Sequence, residues 1–215
     1  MEQKKIEQAY IQELYVQEDD LLKSVTTGLV ENGLPLISVP PEVGKAIYLL
    51  AKISGAKRAL EIGLLGGYST IWLTRGMGMD GEVVSLEIKE EHASFARQNL
   101  SRAGLLDQVS IYVGDALLSL DQLISKKEKF DFIVIDADKI NYPVYIEKVL
   151  QLADPGAILC CDNLFFNGRI FDKKDALNPA PAAVRKVNEI LSSHPRLEAI
   201  LFPIGDGLGV ARVKV

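Results

Sequence analysis

Six carboxylates and one lysine stand at or just beyond the ends of apolar runs in this chain: Glu61, Glu87, Asp115, Asp136, Asp138, Asp162 and Lys139. Two of the acids have oxygen-rich neighbours. Asp136 opens the stretch Asp136-Ala137-Asp138-Lys139-Ile140-Asn141-Tyr142, and Asp162 is followed by Asn163. Two carboxylates and an amide oxygen brought together make a hard-oxygen set, suited to Mg²⁺, Mn²⁺ or Ca²⁺ and poor for a soft metal. His92 and His194 are the only histidines and no Cys–His spacing occurs, so a zinc site is not expected. On residue type alone, Asp136 and Asp162 could equally cap the helices that follow them.

The segment Leu60–Thr70 reads LEIGLLGGYST. A glycine directly after a strand lets the backbone approach a ligand with no Cβ in the way. A pyrophosphate-binding turn would read G-x-G-x-x-G; here the spacing is G-x-x-G-G, with Glu61 two residues ahead of Gly63. That carboxylate would repel a pyrophosphate and suit a ligand carrying an amine or a sulfonium. Glu87, near the end of the next apolar run, stands where an acid holds the two hydroxyls of a ribose. Asp115 and Ala116, after the third run, are placed for an adenine edge. Each signal alone is weak, but in this order they point to an adenosyl ligand without a pyrophosphate.

These residues meet only if the runs that carry them are neighbouring strands. Strands are expected at Arg58–Gly63, Glu82–Ile88, Val109–Gly114, Phe130–Asp136 and Ala157–Cys161, alternating with helices at Ser69–Met77, Glu90–Ala103, Ala116–Lys126 and Tyr142–Ala153. Such alternation implies a parallel sheet covered on both faces. A helix at Pro181–Ser193 precedes two last strands, Leu197–Ile204 and Leu208–Val215, joined across Gly205-Asp206-Gly207. That link is too short for a crossover, so the pair is an antiparallel hairpin. The expected architecture is α/β: a Rossmann-like mixed sheet of about seven strands, with one antiparallel member at the end. Ligands bind such sheets beyond the carboxyl ends of the strands, where the acids lie. Upstream, Ile6 to Val30 shows helical spacing broken at Glu18-Asp19-Asp20, and Glu42–Ile53 is a further helix. Asn167–Ala180 reads as one long loop.

Composition sets the limits. At 215 residues the chain suits one domain, with 1–55 as a helical cap and 56–215 as the sheet core. A net charge of −5 argues against a general grip on nucleic acid. The charged start MEQKKIEQAY is not a signal peptide, and no apolar run is long enough to span a bilayer. Cys160 and Cys161 are adjacent in an apolar run, which fits buried reduced thiols rather than a disulfide framework. A cytoplasmic protein is expected.

L-E-I-G-x-x-x-G-Y-S resembles the glycine motif of class I methyltransferases, in the form used by cation-dependent catechol and caffeoyl-CoA O-methyltransferases. D-A-D-K-x-N-Y, followed by an apolar strand and D-N, resembles the metal signature of that family. The likeness extends nearly end to end. It implies S-adenosylmethionine as cofactor, a divalent cation (Mg²⁺, with Mn²⁺ or Ca²⁺ as alternatives) on Asp136, Asp162 and Asn163, and Lys139 as general base with Asp136 beside it. A lysine fills that role when burial or a nearby cation disfavours its charged form. The resemblance further implies that Val39, Gly63, Leu64, Ser69, Asp136 and Asp138 join Glu61, Glu87, Asp115 and Ala116 around the cofactor. Lys139, Asn163 and Asp206 would then face the acceptor. For Asp206 the alternative is a plain hairpin turn, since Asp-Gly is common there.

Leu164-Phe165-Phe166 and Gly209 depart from the family's usual residues near the acceptor, which leaves the substrate open and the reaction class untouched. A small catechol-like phenol is the leading acceptor. A hydroxylated tRNA base is the second reading and would need a basic face, for which Arg169, Lys173, Lys174, Arg185 and Lys186 are the candidates. A non-catalytic cofactor-binding relative is the third. The resemblance also implies a homodimer, with the N-terminal helices covering part of the acceptor site.

Overall fold

The computed structural model describes residues 2–175 and 177–215. Its strands are β1 (Arg58–Ile62), β2 (Glu82–Glu87), β3 (Val109–Val113), β4 (Phe130–Ile135), β5 (Ala153–Cys161), β6 (Leu197–Phe202) and β7 (Leu208–Val213). They form one sheet in the order β3-β2-β1-β4-β5-β7-β6. The first five are parallel; β7 runs antiparallel to both of its neighbours. The hairpin is therefore present as expected, but its last strand inserts between β5 and β6. β5 starts four residues earlier than its apolar run because Ala153 already pairs with Phe130 before a register shift.

The helices are α1 (Glu2–Tyr15), α2 (Asp20–Glu31), α3 (Pro41–Ser54), α4 (Tyr68–Met77), α5 (Glu90–Arg102), α6 (Ala116–Ser125), α7 (Tyr142–Leu152) and α8 (Pro179–Ser193). Asp19 stops the long N-terminal pattern and restarts it: its carboxylate accepts from Leu22 N–H at 2.9 Å as the cap of α2. Proline at the start of α3 and of α8 has no N–H to leave unpaired there.

Alternation along the strands divides the core in two. Leu60, Ile62, Ile133, Ile135 and Cys161 pack with α6, α7 and α8; Ala59, Phe132, Val134 and Cys160 pack with α2, α3 and α4. Successive strand residues point to opposite faces, so the two adjacent cysteines belong to different layers. Both are free and buried, and burial pushes the Cys161 thiol up to about 12.

Residues 166–175 are short 3₁₀ turns rather than an open loop, Phe166–Phe171 and Lys173–Asp175; Ala176 lies outside the described residues. Arg169 bonds both oxygens of Asp175, at 2.8 and 3.0 Å. Arg185 donates to the carbonyls of Ile170 and Asp175. Among the described residues, no helix is long and apolar enough to cross a membrane.

Candidate cofactor and metal site

The parallel registers put Ile62, Leu86 and Ile135 at one level, with Cys161 beside Ile135. Each strand then donates one further N–H to its neighbour: Gly63 to Leu86 O at 2.9 Å, Asp136 to Ile62 O at 2.9 Å, Asp162 to Ile135 O at 3.0 Å and Gly114 to Glu87 O at 2.8 Å. The ladder therefore delivers Gly63, Glu87, Asp136 and Asp162 to a common rim. Only then does the backbone turn away. At Gly63 φ is +101°, and a Cβ there would lie 1.9 Å from the Asp136 carbonyl oxygen. Glycine is required there.

A cavity of about 710 Å³ opens above that rim. Val39, Gly63, Leu64, Ser69, Glu87, Asp115, Ala116, Asp136, Asp138, Lys139 and Asn163 all line it. Glu87 Oε2 accepts from the N–H groups of Leu64 (3.3 Å) and Leu65 (2.9 Å), and its Oε1 accepts from Lys89 N–H (3.0 Å). The carboxylate thus pins the glycine turn while facing the cavity. Asp115 caps α6 through Leu117 N–H at 2.7 Å. Asp138 accepts from the Tyr145 hydroxyl at 2.6 Å and from the Asn141 side chain at 2.7 Å.

Three expected residues do not line the cavity. Glu61 is fully buried on the α4 side of β1, where strand alternation sends it. Its carboxylate accepts from Ser69 (2.7 Å), Thr70 (2.6 Å) and Ser85 (2.7 Å) hydroxyls. Burial raises its pKa, against the pull of those three donors. Glu61 thus meets the cavity wall through Ser69. Asp206 is drawn away by the backbone: both its oxygens accept from Asn167 N–H, at 2.9 and 2.7 Å, so it staples the turn after β5. Asp162 lies behind the wall, 1% exposed, with Asn163 in front of it. The N-terminal helices also stand back. The segment before α3, with Ile37, Ser38 and Val39, supplies the wall, and no described residue of α1 or α2 does.

Tyr68, His92, Asn141 and Tyr145 line the cavity without having been singled out from the sequence. All four sit in or beside the first turn of the helix that follows a strand, and that position was the available signal. Tyr68 donates to Glu18 at 2.7 Å, tying the segment between α1 and α2 to the cavity.

Asp162 shows what a cation would answer. Among the described residues its buried Oδ1 has no hydrogen-bond partner, while Oδ2 accepts from Asn163 Nδ2 at 3.2 Å. Burial, and then the charge of Asp136, push its pKa up to about 7. An orphaned carboxylate oxygen beside a second carboxylate fits a hard cation. Among the described residues no three His, Cys, Asp or Glu side chains converge as a metal site. Lys139 closes the group, its Nζ 2.9 Å from Asp136 Oδ1 and also donating to the Tyr142 hydroxyl. Tyr142 is wholly buried, and burial raises its pKa well above the usual phenol value. Lys139 is 12% exposed, which keeps its ammonium close to the cavity rather than in bulk water.

Known proteins resemble this chain over nearly its whole length. Two curated relatives, the catechol O-methyltransferases of Niastella koreensis and Mycobacterium tuberculosis, are each 40% identical over 211 residues. These alignments cover 95% and 96% of this chain, and 95% and 94% of the relatives. The crystal structure of an O-methyltransferase from Bacillus cereus in complex with SAH superposes with a TM-score of 0.90 at 40% identity, covering 97% of both chains. The family model described as O-methyltransferase matches residues 12–214, spanning every strand whose end forms the rim, and the chain belongs to that family.

Proposed function

We propose that this protein transfers a methyl group from S-adenosylmethionine to one hydroxyl of a vicinal phenolic diol, aided by a divalent cation. The observation that carries this reading is the cluster at one end of the cavity: the orphaned oxygen of Asp162, beside Asp136 and within reach of Lys139. It is supported by the relatives named catechol O-methyltransferase and by the SAH complex of the similar fold.

Glu87 offers the carboxylate for the ribose hydroxyls, and the N-terminus of α4 at Ser69, whose hydroxyl is donated to Glu61, faces the carboxylate of the methionine part. Asp115 and Ala116 wall the adenine end. S-adenosylmethionine supplies an electrophilic methyl on a sulfonium, open to in-line displacement by an acceptor oxygen. Asp136, Asp162 and Asn163 would hold the cation, which favours the anion of a phenol whose unperturbed pKa is about 10. Lys139 is placed to take the acceptor proton once its own ammonium has lost one, and the salt bridge to Asp136 fixes where its Nζ waits. Catalysis then rests on positioning and electrostatics.

A tRNA acceptor is disfavoured. Of the five candidate cations, Arg169 and Arg185 are spent on folding the 166–175 turns and Lys186 pairs with Glu189, which leaves Lys173 and Lys174 as too small a basic face for a polynucleotide. A non-catalytic relative would have no use for Lys139 beside the two aspartates. We further read residues 1–215 as one domain, with 1–55 capping the sheet, acting in the cytoplasm as a homodimer.

A methyl-transfer assay with catechol, caffeate and undermethylated tRNA, each with Mg²⁺ or EDTA, tests the proposal. Methylated phenol with Mg²⁺, and little with EDTA, is the expected result. Product from tRNA alone overturns the acceptor; full activity in EDTA overturns the cation.

A further inference from the structure

His92 is the third residue of α5, 7% exposed, and its ring lines the cavity next to Glu87. Its Nδ1 lies 3.3 Å from Glu87 Oε1. The proposed chemistry gives it no task. α5 is firmly docked at this point, because Ala93 and Ala96 are buried against Leu64 of the glycine turn. The imidazole therefore has a fixed platform.

Glu87 needs a partner there. Its Oε2 is fixed by two backbone N–H groups, which hold Leu65 in a left-handed conformation (φ +47°). Its Oε1 has a single backbone donor, from Lys89. The last torsion of a glutamate is broad and poorly restrained by its own rotamer. An acid that must accept two ribose hydroxyls at once gains from having its plane fixed beforehand. An Nδ1–H turned toward Oε1, 3.3 Å away, would supply that restraint.

We propose that His92 is a positioning residue: it holds the Glu87 carboxylate in the plane that receives the ribose hydroxyls of the methyl donor. This rests on reading the cavity as an S-adenosylmethionine site. The opposite role is physically distinct. If His92 instead occupied the acceptor position that a ribose hydroxyl needs, it would compete with the donor, and its removal would tighten binding.

The test compares wild type with His92→Phe, His92→Asn, His92→Gln and Glu87→Gln, by titration with SAH and by steady-state kinetics in S-adenosylmethionine. Phenylalanine keeps the bulk and removes the donor. With His92→Phe, SAH affinity is expected to fall about 10- to 150-fold, the range for losing a hydrogen bond to a charged group, with the loss appearing in KM for the donor rather than in kcat. The Asn amide nitrogen falls near the place of Nδ1 and that of Gln near the place of Nε2, so His92→Asn should bind SAH more tightly than His92→Gln. That comparison stands even if His92→Phe does not fold. Unchanged or tighter binding in His92→Phe, or equal binding in the Asn and Gln variants, overturns the proposal. If Glu87→Gln also binds SAH as wild type does, the reading of the cavity fails with it; if only Glu87→Gln weakens binding, the role of His92 fails alone.

Discussion

Asp162 is held in a folded state that its own charge opposes. Its pKa is 3.8 in an unfolded chain and about 7 in the fold, where burial and Asp136 disfavour the anion. Between those values the folded protein keeps a proton that the unfolded chain has released. Without a cation, stability therefore falls as pH rises through that interval, and it stays lowered above it. Asp162→Asn removes the charge. In EDTA at pH 8 it should be more stable than wild type by about 1–3 kcal/mol; that margin should shrink to roughly half at pH 5 and vanish only below the unfolded value of 3.8. Mg²⁺ should then raise the melting temperature of wild type and not of the variant. Thermal unfolding at the two pH values decides the matter; a margin equal at both would show that the charge is not the cause. Asp136, Glu87 and Gly63 were legible in the sequence because each stands at or next to the end of an apolar strand, and in this architecture that position is the rim. Glu61 stands in the same motif, but alternation turns it, with Ala59, to the other face, so that it reaches the cavity wall only through Ser69. Asp206 could not be read, since its partner Asn167 is 39 residues away and a hairpin turn does not announce what it clamps.

The link between β1 and α4 is the element on which the cavity depends, and its glycines are not equivalent. Gly63 combines φ +101° with backbone contact to Asp136 across the sheet, so a methyl group has nowhere to go. Gly66 would bring a Cβ to 3.2–3.3 Å from the side chains of Leu29 and Phe95, which can yield by a few tenths of an ångström. Gly63→Ala should thus separate β1 from β4 at the rim, lowering the melting temperature and abolishing stabilisation by SAH. Gly66→Ala should keep both within a modest decrement. Equal behaviour of the two variants in a melting experiment with and without SAH would refute this. The parallel strands and their helices were legible from periodicity because each is long, apolar and bounded by turn residues. The insertion of β7 between β5 and β6 was not. A hairpin pattern says which strands pair with each other, and nothing local says which side of the hairpin joins the sheet. The 166–175 turns were hidden for a related reason: their order comes from Arg169 and Arg185 reaching across the segment, not from any repeating pattern.

Over the whole molecule, α1 is attached by polar contacts and turns an apolar stripe outward. Gln8 donates to Gly205 O at 3.3 Å and Gln12 to Glu42 at 2.6 Å, and Asp19, just beyond the helix, pairs with Arg75 at 2.7 Å. Ile6, Tyr10 and Leu14, four residues apart in turn, are 59%, 60% and 53% exposed. Residues at that spacing share one helix face. Leu36 and Ile37, in the segment leading to α3, are also open to solvent. A helix whose amides face its own body and whose aliphatic and aromatic side chains face outward is arranged for a partner, and the proposed homodimer would cover that stripe by two-fold symmetry. Light scattering should give twice the mass of the chain. The double variant Tyr10→Glu, Leu14→Glu should give a monomer, since two charges on each copy would be buried against each other. A monomeric wild type at working concentration would rule the dimer out. SAH binding separates assembly from the site: no described residue of α1 lines the cavity, so the monomeric variant should still bind SAH. A route by which loosening α1 could reach the pocket is the hydrogen bond from Tyr68 to Glu18, just beyond that helix. If SAH affinity falls in the monomer, Glu18→Gln in the dimer should reproduce that fall.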